Sequence, residues 1–228
     1  MNVISSTSIR AVLFDLDGTL ADTAPDLGRA LNLLLEQCGR PSVPISVSRK
    51  LASSGARGLI QVGFGITAEE PEYLSLKDRF LDFYGKNICV DSCLFPGMLQ
   101  LLDALEAKSI SWGIVTNKAA RFTVPLVAAL GLSTRAACVI SGDTTPHSKP
   151  HPAPLLFAAD SIRMAPAACL YIGDDLRDVQ AARAAGMPVI AAGFGYLGEA
   201  GDPATWGADA VISQPAEILN FLAATPSV

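Results

Sequence analysis

Short apolar runs recur along the chain, each bounded by Gly, Asp, Asn or another polar residue. Their length and their content of β-branched residues are typical of strands that are buried on both faces of a parallel sheet. The pattern predicts six strands, at Arg10–Phe14, Ser111–Val115, Ala137–Ile140, Cys169–Ile172, Pro188–Ala191 and Ala210–Ile212.

Between these runs, apolar residues return every three or four positions, which is the period of an amphipathic helix. Strands that alternate with such helices build βαβ units. We therefore predict an α/β fold, a Rossmann-like parallel sheet with helices on both faces. The predicted helices of this part are Met98–Lys108, Ala119–Leu130, Pro154–Ile162, Asp175–Ala185 and a closing helix at Ala216–Ala223.

One long segment interrupts the alternation. Between Asp22 and Cys93 the pattern predicts no strand. We expect an inserted all-helical cap domain at 21–94, within a catalytic core formed by 1–20 and 95–228. The insert leaves from the carboxyl end of the first strand, the edge where open α/β sheets bind ligands, so it would cover that edge as a lid. Its predicted helices are Asp26–Cys38, Ile45–Ser53, Ala56–Phe64 and Glu69–Asn87.

Composition narrows the class of protein. Half of the 228 residues are hydrophobic, and 17 basic against 22 acidic residues give a net charge of −5. This excludes a disordered chain and, without a basic cluster, argues against a nucleic-acid partner. No apolar stretch suits a membrane span, and Met1–Ile9 lacks the pattern of a signal peptide. The five cysteines form no C-x-x-C motif, so we expect reduced thiols in a cytoplasmic protein.

Two carboxylates follow the first strand directly, in the sequence Asp15-Leu16-Asp17-Gly18-Thr19. Residues two apart on an extended chain point the same way, so both acids can face one pocket, and Gly18 permits a sharp turn. Like charges this close need a cation or a shared proton. One carboxylate could attack phosphorus, while the other protonates the leaving oxygen and later deprotonates water.

The next three strands are also followed by polar side chains at the same edge of the predicted sheet. Clustered carboxylates suit a hard cation such as Mg²⁺, while an ammonium and a hydroxyl group suit phosphate oxygens. The sequence therefore predicts a Mg²⁺ site that handles a phosphate group. The side chains are Thr116, Asn117, Lys149, Asp174, Asp175 and Asp178.

In this order, D-x-D-G-T, T-N, K-P and G-D-D-x-x-D resemble the four motifs of the haloacid dehalogenase superfamily, and the resemblance spans essentially the whole chain. It implies a phosphatase that forms an aspartyl-phosphate, with Asp15 as the nucleophile and Asp17 as the general acid and base. It also implies that Thr116 holds the transferring phosphoryl group with help from Asn117, and that Lys149 neutralises charge between nucleophile and phosphate.

The same resemblance implies how Mg²⁺ is bound. Its ligands would be Asp15, the backbone carbonyl of Asp17, and Asp174, with Asp178 and Asp175 just behind them. The presence of Asp17 points away from true dehalogenases, which lack that acid.

The insert resembles the helical cap of the phosphoglycolate phosphatase-like branch, in which a loop between two cap helices selects the substrate. The candidate loop is Ser53–Leu59, where Gly55 permits close approach of the backbone and Arg57 offers a planar fork for a carboxylate. This loop, Arg121-Phe122 and Gly195-Tyr196 are also similar to segments of N-acetylmuramic acid 6-phosphate phosphatases.

The sequence thus predicts a Mg²⁺-dependent phosphomonoester hydrolase that acts on a small phosphorylated carboxylate metabolite. Phosphoglycolate and N-acetylmuramic acid 6-phosphate are both candidate substrates. A sugar-phosphate mutase would use the same motifs but return the phosphoryl group to its substrate. A non-catalytic binding protein would have no need of Asp15, Asp17 and Lys149 together.

Overall fold

Eight strands are present in the computed structural model, which describes residues 9–222 of the chain. Six of them form one parallel sheet, and the other two form a short antiparallel pair. They are β1 (Ala11–Phe14), β2 (Ala21–Asp22), β3 (Cys93–Leu94), β4 (Ser111–Val115), β5 (Val139–Ile140), β6 (Cys169–Gly173), β7 (Val189–Ala192) and β8 (Ala210–Ile212).

The large sheet has the strand order β5-β4-β1-β6-β7-β8, with β1 near its centre. Phe14, the last residue of β1, is in register with Ile114 of β4 and with Ile172 of β6. The three strands therefore end at one edge of the sheet. As a result, Asp15 and Asp174, which follow β1 and β6, come to the same place.

The helices fall into an inserted group and a group that accompanies the large sheet. Within the part of the chain that the structure describes, no helix is both long and apolar enough to cross a membrane. The α-helices are α1 (Ala24–Gln37), α2 (Ile45–Ser48), α3 (Gly55–Phe64), α4 (Tyr73–Lys86), α5 (Met98–Ala107), α6 (Ala120–Ala129), α7 (Ala153–Ser161) and α8 (Leu176–Ala184).

The two faces of the large sheet pack against different helices, because successive residues of a strand point to opposite sides. Val12 and Phe14 belong to an apolar cluster with side chains of α5 and α6. Ala11 and Leu13 pack with side chains of α7 and α8. The predicted fold class, a parallel α/β sheet with helices on both faces and an inserted helical segment, is confirmed.

The helical insert between β2 and β3 has an apolar cluster of its own. Side chains of α1, α3 and α4 form it, among them the fully buried Leu31 and Phe80. Two buried residues from outside the insert belong to the same cluster: Phe122 of α6 and Tyr196 of the loop after β7. The insert therefore packs directly on segments that follow the strand ends.

Two helices of the insert differ from the prediction. The helix predicted at Ile45–Ser53 is an α-helix only over α2 and continues as a 3-10 helix at Arg49–Ser54. The helix predicted from Glu69 begins at Tyr73, because Pro71 disfavours helical backbone angles in the residue before it.

Two elements of the sheet part also differ. The strand predicted at Ala137–Ile140 is reduced to the two residues of β5. The closing helix is a 3-10 helix at Pro215–Phe221, a form that suits short segments because each hydrogen bond spans only three residues. The predicted end of this helix, Ala223, lies outside the described residues.

The prediction of no strand between Asp22 and Cys93 needs a correction at its two ends. Ala21–Asp22 pairs in an antiparallel manner with Cys93–Leu94, which ties together the segments that enter and leave the insert. Two residues on each side are too few to produce a recognisable alternation of apolar and polar positions, so the pair was not predicted.

A buried carboxylate fixes the segment that returns from the insert. Asp26, in the first turn of α1, accepts hydrogen bonds from the backbone N–H groups of Val90, Asp91 and Ser92 at 2.8–3.1 Å. The Ser92 hydroxyl donates to the same carboxylate at 2.7 Å, and Arg29 pairs with it at 3.1 Å. Asp26 thus satisfies three backbone donors of a segment without helix or sheet partners.

Asp26→Asn is expected to lower the free energy of unfolding by about 2–4 kcal/mol, because an amide removes the charge and one acceptor oxygen from these hydrogen bonds. Chemical denaturation measures the loss, and amide hydrogen exchange at residues 90–92 should become faster. Asp82→Asn, on the exposed surface of α4, is the matched control and should cost less than about 0.5 kcal/mol. Equal losses in the two variants would contradict the role assigned to Asp26.

Candidate active site

A cluster of ion pairs lies at the carboxyl edge of the large sheet. The Lys149 ammonium is 2.8 Å from Asp15 Oδ1 and 2.7 Å from Asp178 Oδ1. It also donates to the Tyr171 hydroxyl at 2.9 Å and to the Val115 carbonyl at 3.0 Å. Lys149 and Asp178 are buried, so this ion pair is shielded from solvent. The structure thus brings Lys149 to Asp15; that Lys149 neutralises charge between nucleophile and phosphate stays a prediction.

The electrostatics of the cluster favour an additional cation. Burial raises the pKa of the Asp15 carboxyl to about 7 even though Lys149 opposes the shift. Burial lowers the pKa of the Lys149 ammonium, but Asp15 and Asp178 outweigh that effect and keep it above its usual value. One ammonium therefore serves two carboxylates, and the remaining negative charge can be balanced by protons or by a metal ion.

Asp174 is fully buried next to these groups. The Thr19 hydroxyl donates to its Oδ1 at 2.9 Å, and the backbone N–H of Tyr196 donates to its Oδ2 at 2.8 Å. Burial, together with the charges of Asp15 and Asp178, raises the pKa of the Asp174 carboxyl well above its usual value. In the absence of a bound cation, Asp174 therefore tends to hold a proton.

The donor atoms present fit a magnesium ion. Asp15, Asp174 and Asp178 each offer a carboxylate oxygen, and these atoms lie within 4.8 Å of one another. Two glycines leave room around Asp174: a Cβ at Gly18 would lie 2.2 Å from Asp174 Oδ2, and one at Gly195 would lie 2.3 Å from Asp174 Cβ. A set of anionic oxygens suits a hard divalent cation rather than a thiophilic metal.

The Asp17 carboxylate has different partners and lies outside that group of three. The Lys118 ammonium is 2.9 Å from Asp17 Oδ1, and the Thr23 hydroxyl donates to the same oxygen. Burial lowers the pKa of the Lys118 ammonium, but Asp17 raises it above its usual value. No role was predicted for Lys118 from the sequence, although its position directly after the T-N motif was the available signal.

Thr116 and Asn117 both line the cavity at the end of β4. The buried Thr116 hydroxyl accepts a hydrogen bond from the backbone N–H of Lys118 at 3.1 Å. The Asn117 amide donates to the Lys149 carbonyl and accepts from the Lys149 backbone N–H, both at 2.9 Å. Asn117 therefore holds the backbone of Lys149 in place.

Asp175 connects the site to the insert through Arg177. It caps α8, and it forms a two-pronged ion pair with the Arg177 guanidinium, with both contacts at 2.8 Å. Burial raises the pKa of the Asp175 carboxyl, but Arg177 outweighs burial and holds it below its usual value. Arg177 also donates to the Ser53 carbonyl of the insert at 2.8 Å, and the Ser53 hydroxyl donates to Asp174 at 3.3 Å.

A cavity of about 410 Å³ lies between the insert and these side chains, and Asp15, Asp17 and Lys149 form part of its wall. Gly55 also lines it, with backbone angles (φ +57°, ψ −145°) that residues with a Cβ rarely adopt. The exposed Arg57 does not line the cavity.

The position of Arg57 follows from the face of α3 on which it lies. Its neighbours Gly58, Leu59 and Ile60 are buried within the insert. The structure therefore brings Gly55 to the other predicted site residues but not Arg57.

Tyr196 is a second connection between the insert and the site. From the sequence it was noted only within the segment Gly195-Tyr196, which is similar to a segment of N-acetylmuramic acid 6-phosphate phosphatases. Its hydroxyl accepts hydrogen bonds from the backbone N–H groups of Thr23 and Ala24, at 2.7 and 2.9 Å, and donates to Asp22 at 2.8 Å. Because its own backbone N–H binds Asp174, this residue joins the start of the insert to the candidate metal site.

Comparison with known proteins gives consistent matches over nearly the whole chain. The family model described as haloacid dehalogenase-like hydrolase matches residues 12–192. The chain is 40% identical over 214 residues to an N-acetylmuramic acid 6-phosphate phosphatase of Pseudomonas putida, covering 94% of this chain and 96% of that protein. It is 43% identical over 210 residues to a phosphoglycolate phosphatase of Xanthomonas campestris, covering 92% and 94%.

The fold is similar to that of solved structures as well. The crystal structure of "a predicted phosphoglycolate phosphatase" from Haemophilus somnus 129PT superposes with a TM-score of 0.83 at 29% sequence identity. The match covers 95% of this chain and 99% of that one. Both the parallel sheet and the helical insert are therefore shared with this relative.

Proposed function

This chain belongs to the haloacid dehalogenase-like hydrolase family, and we propose that it is a Mg²⁺-dependent phosphomonoesterase that acts through an aspartyl-phosphate. The relatives named as phosphatases confirm the predicted class of enzyme, a phosphatase of this family. The observation that carries the finer proposal is the position of Asp15, which shares the Lys149 ammonium and lies within reach of Asp174 and Asp178.

In the proposed reaction, a carboxylate oxygen of Asp15 attacks phosphorus while the bond from phosphorus to the ester oxygen breaks. Asp17 gives its proton to that leaving oxygen. Asp17 then takes a proton from a water molecule, which attacks the aspartyl-phosphate, releases inorganic phosphate and restores Asp15. The two acids share the wall of one cavity but have separate hydrogen-bond partners, which supports separate roles.

The surrounding residues would hold the phosphate and its charge. Lys149 would neutralise the attacking carboxylate and the phosphate oxygens, and the Thr116 hydroxyl would donate to the phosphoryl group. Asn117 would keep Lys149 in position through its two backbone hydrogen bonds. A Mg²⁺ ion bound by Asp15, Asp174 and the Asp17 carbonyl would supply positive charge to the phosphate oxygens.

We propose that the insert, 21–94, serves as a cap over a core made of 1–20 and 95–228. The contacts of Ser53 with Arg177 and Asp174 hold the insert over the cavity. The hydrogen bonds of Tyr196 fix the segment where the insert begins. A cap in this position would exclude bulk water from the reacting atoms and would have to open for substrate exchange.

We propose a phosphate ester of a small carboxylic acid as the substrate. The two relatives are named for phosphoglycolate and N-acetylmuramic acid 6-phosphate, and both compounds carry a carboxylate. Arg57 was expected to bind this carboxylate but does not line the cavity. Lys77 and Arg121 do line it, and their cationic side chains can bind the carboxylate instead. Phosphoglycolate is the first candidate. N-acetylmuramic acid 6-phosphate is the second, because a cavity of about 410 Å³ also has room for this larger compound.

The test is a substrate panel with the purified protein and Mg²⁺, in which inorganic phosphate and the organic product are both measured. Release of phosphate from 2-phosphoglycolate or N-acetylmuramic acid 6-phosphate, above that from glucose 6-phosphate, is the expected result. A sugar-phosphate mutase would instead convert glucose 1-phosphate into an isomer without phosphate release. That outcome, or the absence of any turnover, would overturn the proposal.

Mg²⁺ is expected to stabilise the fold more strongly as the pH rises. The raised pKa values of Asp15 and Asp174 mean that, above about pH 4, the folded metal-free protein keeps protons that the unfolded chain has lost. Its free energy of unfolding therefore falls through these groups as the pH rises toward 7. Mg²⁺ competes with those protons, so its binding strengthens over the same range.

Thermal unfolding in Mg²⁺ and in EDTA measures this effect. The difference in Tm should widen by about 3–6 °C between about pH 5 and pH 8. Asp174→Asn should abolish most of the difference, whereas Asp78→Asn, an exposed acid on α4, should preserve it. A difference in Tm that stays constant across the pH range would count against these carboxylates as the metal site.

A further inference from the structure

One buried hydroxyl group in the cavity wall has no acceptor for its proton. Tyr84 of α4 is 1% exposed, and its Oη is, among the described residues, the one buried side-chain nitrogen or oxygen without a hydrogen bond. An O–H without an acceptor has lost its hydrogen bond to water and gained none from the protein, which is unfavourable. Phenylalanine would fill the same space without that cost, which indicates that the hydroxyl serves another purpose.

The surroundings of Tyr84 place it at the site rather than in the remote core of the insert. Its side chain lines the cavity together with Phe80 and Phe122, and its ring centroid lies 5.5 Å from that of Phe122. The Lys118 ammonium stands 4.8 Å from the Tyr84 ring centroid and 2.9 Å from Asp17 Oδ1. One lysine therefore links Tyr84 to the carboxylate that would protonate the leaving oxygen.

The chemistry of the neighbours defines what the phenol can bind. Lys118 has no lone pair and cannot accept a hydrogen bond, and Phe80 and Phe122 are apolar. Burial raises the pKa of the Tyr84 hydroxyl to about 12, although Lys118 opposes the shift, so the group is a neutral donor at physiological pH. Lys118 can only donate to the Tyr84 oxygen, so the O–H of Tyr84 itself lacks an acceptor among the described residues.

We propose that Tyr84 donates a hydrogen bond to an oxygen of the substrate's leaving group, on the side of the cavity that Lys118 and Asp17 share. The ligand class is an alcohol that carries a second oxygen acceptor, a carboxylate or a hydroxyl, near the phosphate ester. Phe80 and Phe122 supply the apolar wall against which its carbon atoms pack. The assignment rests on the proposed phosphatase function and specifies which alcohols the site prefers.

The test compares Tyr84→Phe with the wild-type enzyme on three substrates: 2-phosphoglycolate, glucose 6-phosphate and phenyl phosphate. The first offers a carboxylate acceptor, the second hydroxyl groups, and the third neither. Tyr84→Phe should lower kcat/KM about ten- to a hundredfold for a carboxylate acceptor or about two- to tenfold for a hydroxyl. For phenyl phosphate the change should stay within about twofold.

A stability measurement separates this role from a structural one. Removal of an unpaired buried hydroxyl should leave the Tm of Tyr84→Phe unchanged or raised. Tyr73→Phe, at a buried tyrosine of α4 that does not line the cavity, is the matched control and should leave all three activities unchanged.

Equal losses on all three substrates with a lowered Tm would show that Tyr84 only supports the cap, and unchanged kinetics would show that it touches no substrate. Either result would overturn the inference while leaving the phosphatase proposal intact. A wild-type enzyme that releases no phosphate from any of the three would instead overturn the proposed function, and the inference with it.

Discussion

Asp15→Asn is expected to reduce phosphate release by at least about 10⁴-fold, because an amide cannot attack phosphorus and form the covalent intermediate. The variant should fold as the wild type does. The asparagine side chain has nearly the same volume, and the change removes one negative charge from a buried group that holds three carboxylates and one ammonium. The Tm of the variant should therefore be unchanged or raised.

Steady-state phosphate release with saturating Mg²⁺ measures the loss, and circular dichroism verifies the fold. Asp82→Asn, at an exposed acid paired with Lys86, makes the same chemical change away from the site and should retain full activity. Acid-quenched wild-type enzyme should carry a phosphoryl group on the peptide that contains Asp15. Phosphate release by Asp15→Asn at the wild-type rate would show that Asp15 is not the nucleophile.

The strand ends could be predicted from the sequence because their arrangement follows from the topology alone. Apolar runs identified β1, β5 and β6, and a parallel sheet brings the residues after those strands to one edge. Asp15, Lys149 and Asp174 could therefore be grouped without any knowledge of side-chain packing. Their catalytic and metal-binding roles stay predictions until the variants are measured.

The contacts between the insert and the core could not be predicted in the same way. Asp26, Lys118 and Tyr196 act through partners far away in the sequence, such as residues 90–92 for Asp26 and Asp174 for Tyr196. No periodic pattern reports on which distant groups meet, since that depends on how the helices of the insert pack. The partners of these residues became recognisable only from the hydrogen bonds and ion pairs in the structure.

Arg57 is the opposite case, a residue that the sequence placed at the site but that does not line the cavity. Its charge and its place in a glycine-containing loop suggested contact with the substrate, and the loop does line the cavity through Gly55. The direction of a side chain on a short helix depends on which neighbours are buried, and here the buried face belongs to Gly58, Leu59 and Ile60. Arg57 is consequently exposed and does not line the cavity.

Lys149→Met is expected to affect both stability and turnover, because Lys149 is the shared counter-ion of two buried or half-buried carboxylates. Its ammonium lies 2.8 Å from Asp15 and 2.7 Å from Asp178. Removal of one partner of a buried ion pair typically costs about 3–5 kcal/mol, and loss of a charge next to the transferring group should reduce kcat/KM by roughly 10³-fold or more.

The pH dependence of kcat/KM distinguishes the effect of Lys149→Met on turnover from its effect on stability. Lys149 lowers the pKa of Asp15 against the opposing effect of burial, so without it the nucleophile should hold its proton to higher pH. The acidic limb of kcat/KM for Lys149→Met should therefore move to higher pH than in the wild-type enzyme, with residual activity recovering as Asp15 ionises. Lys86→Met, at an exposed lysine of α4, should leave both the limb and the stability unchanged. If Lys149→Met loses stability but its folded fraction keeps the wild-type rate and profile, Lys149 maintains the fold and takes no part in the reaction.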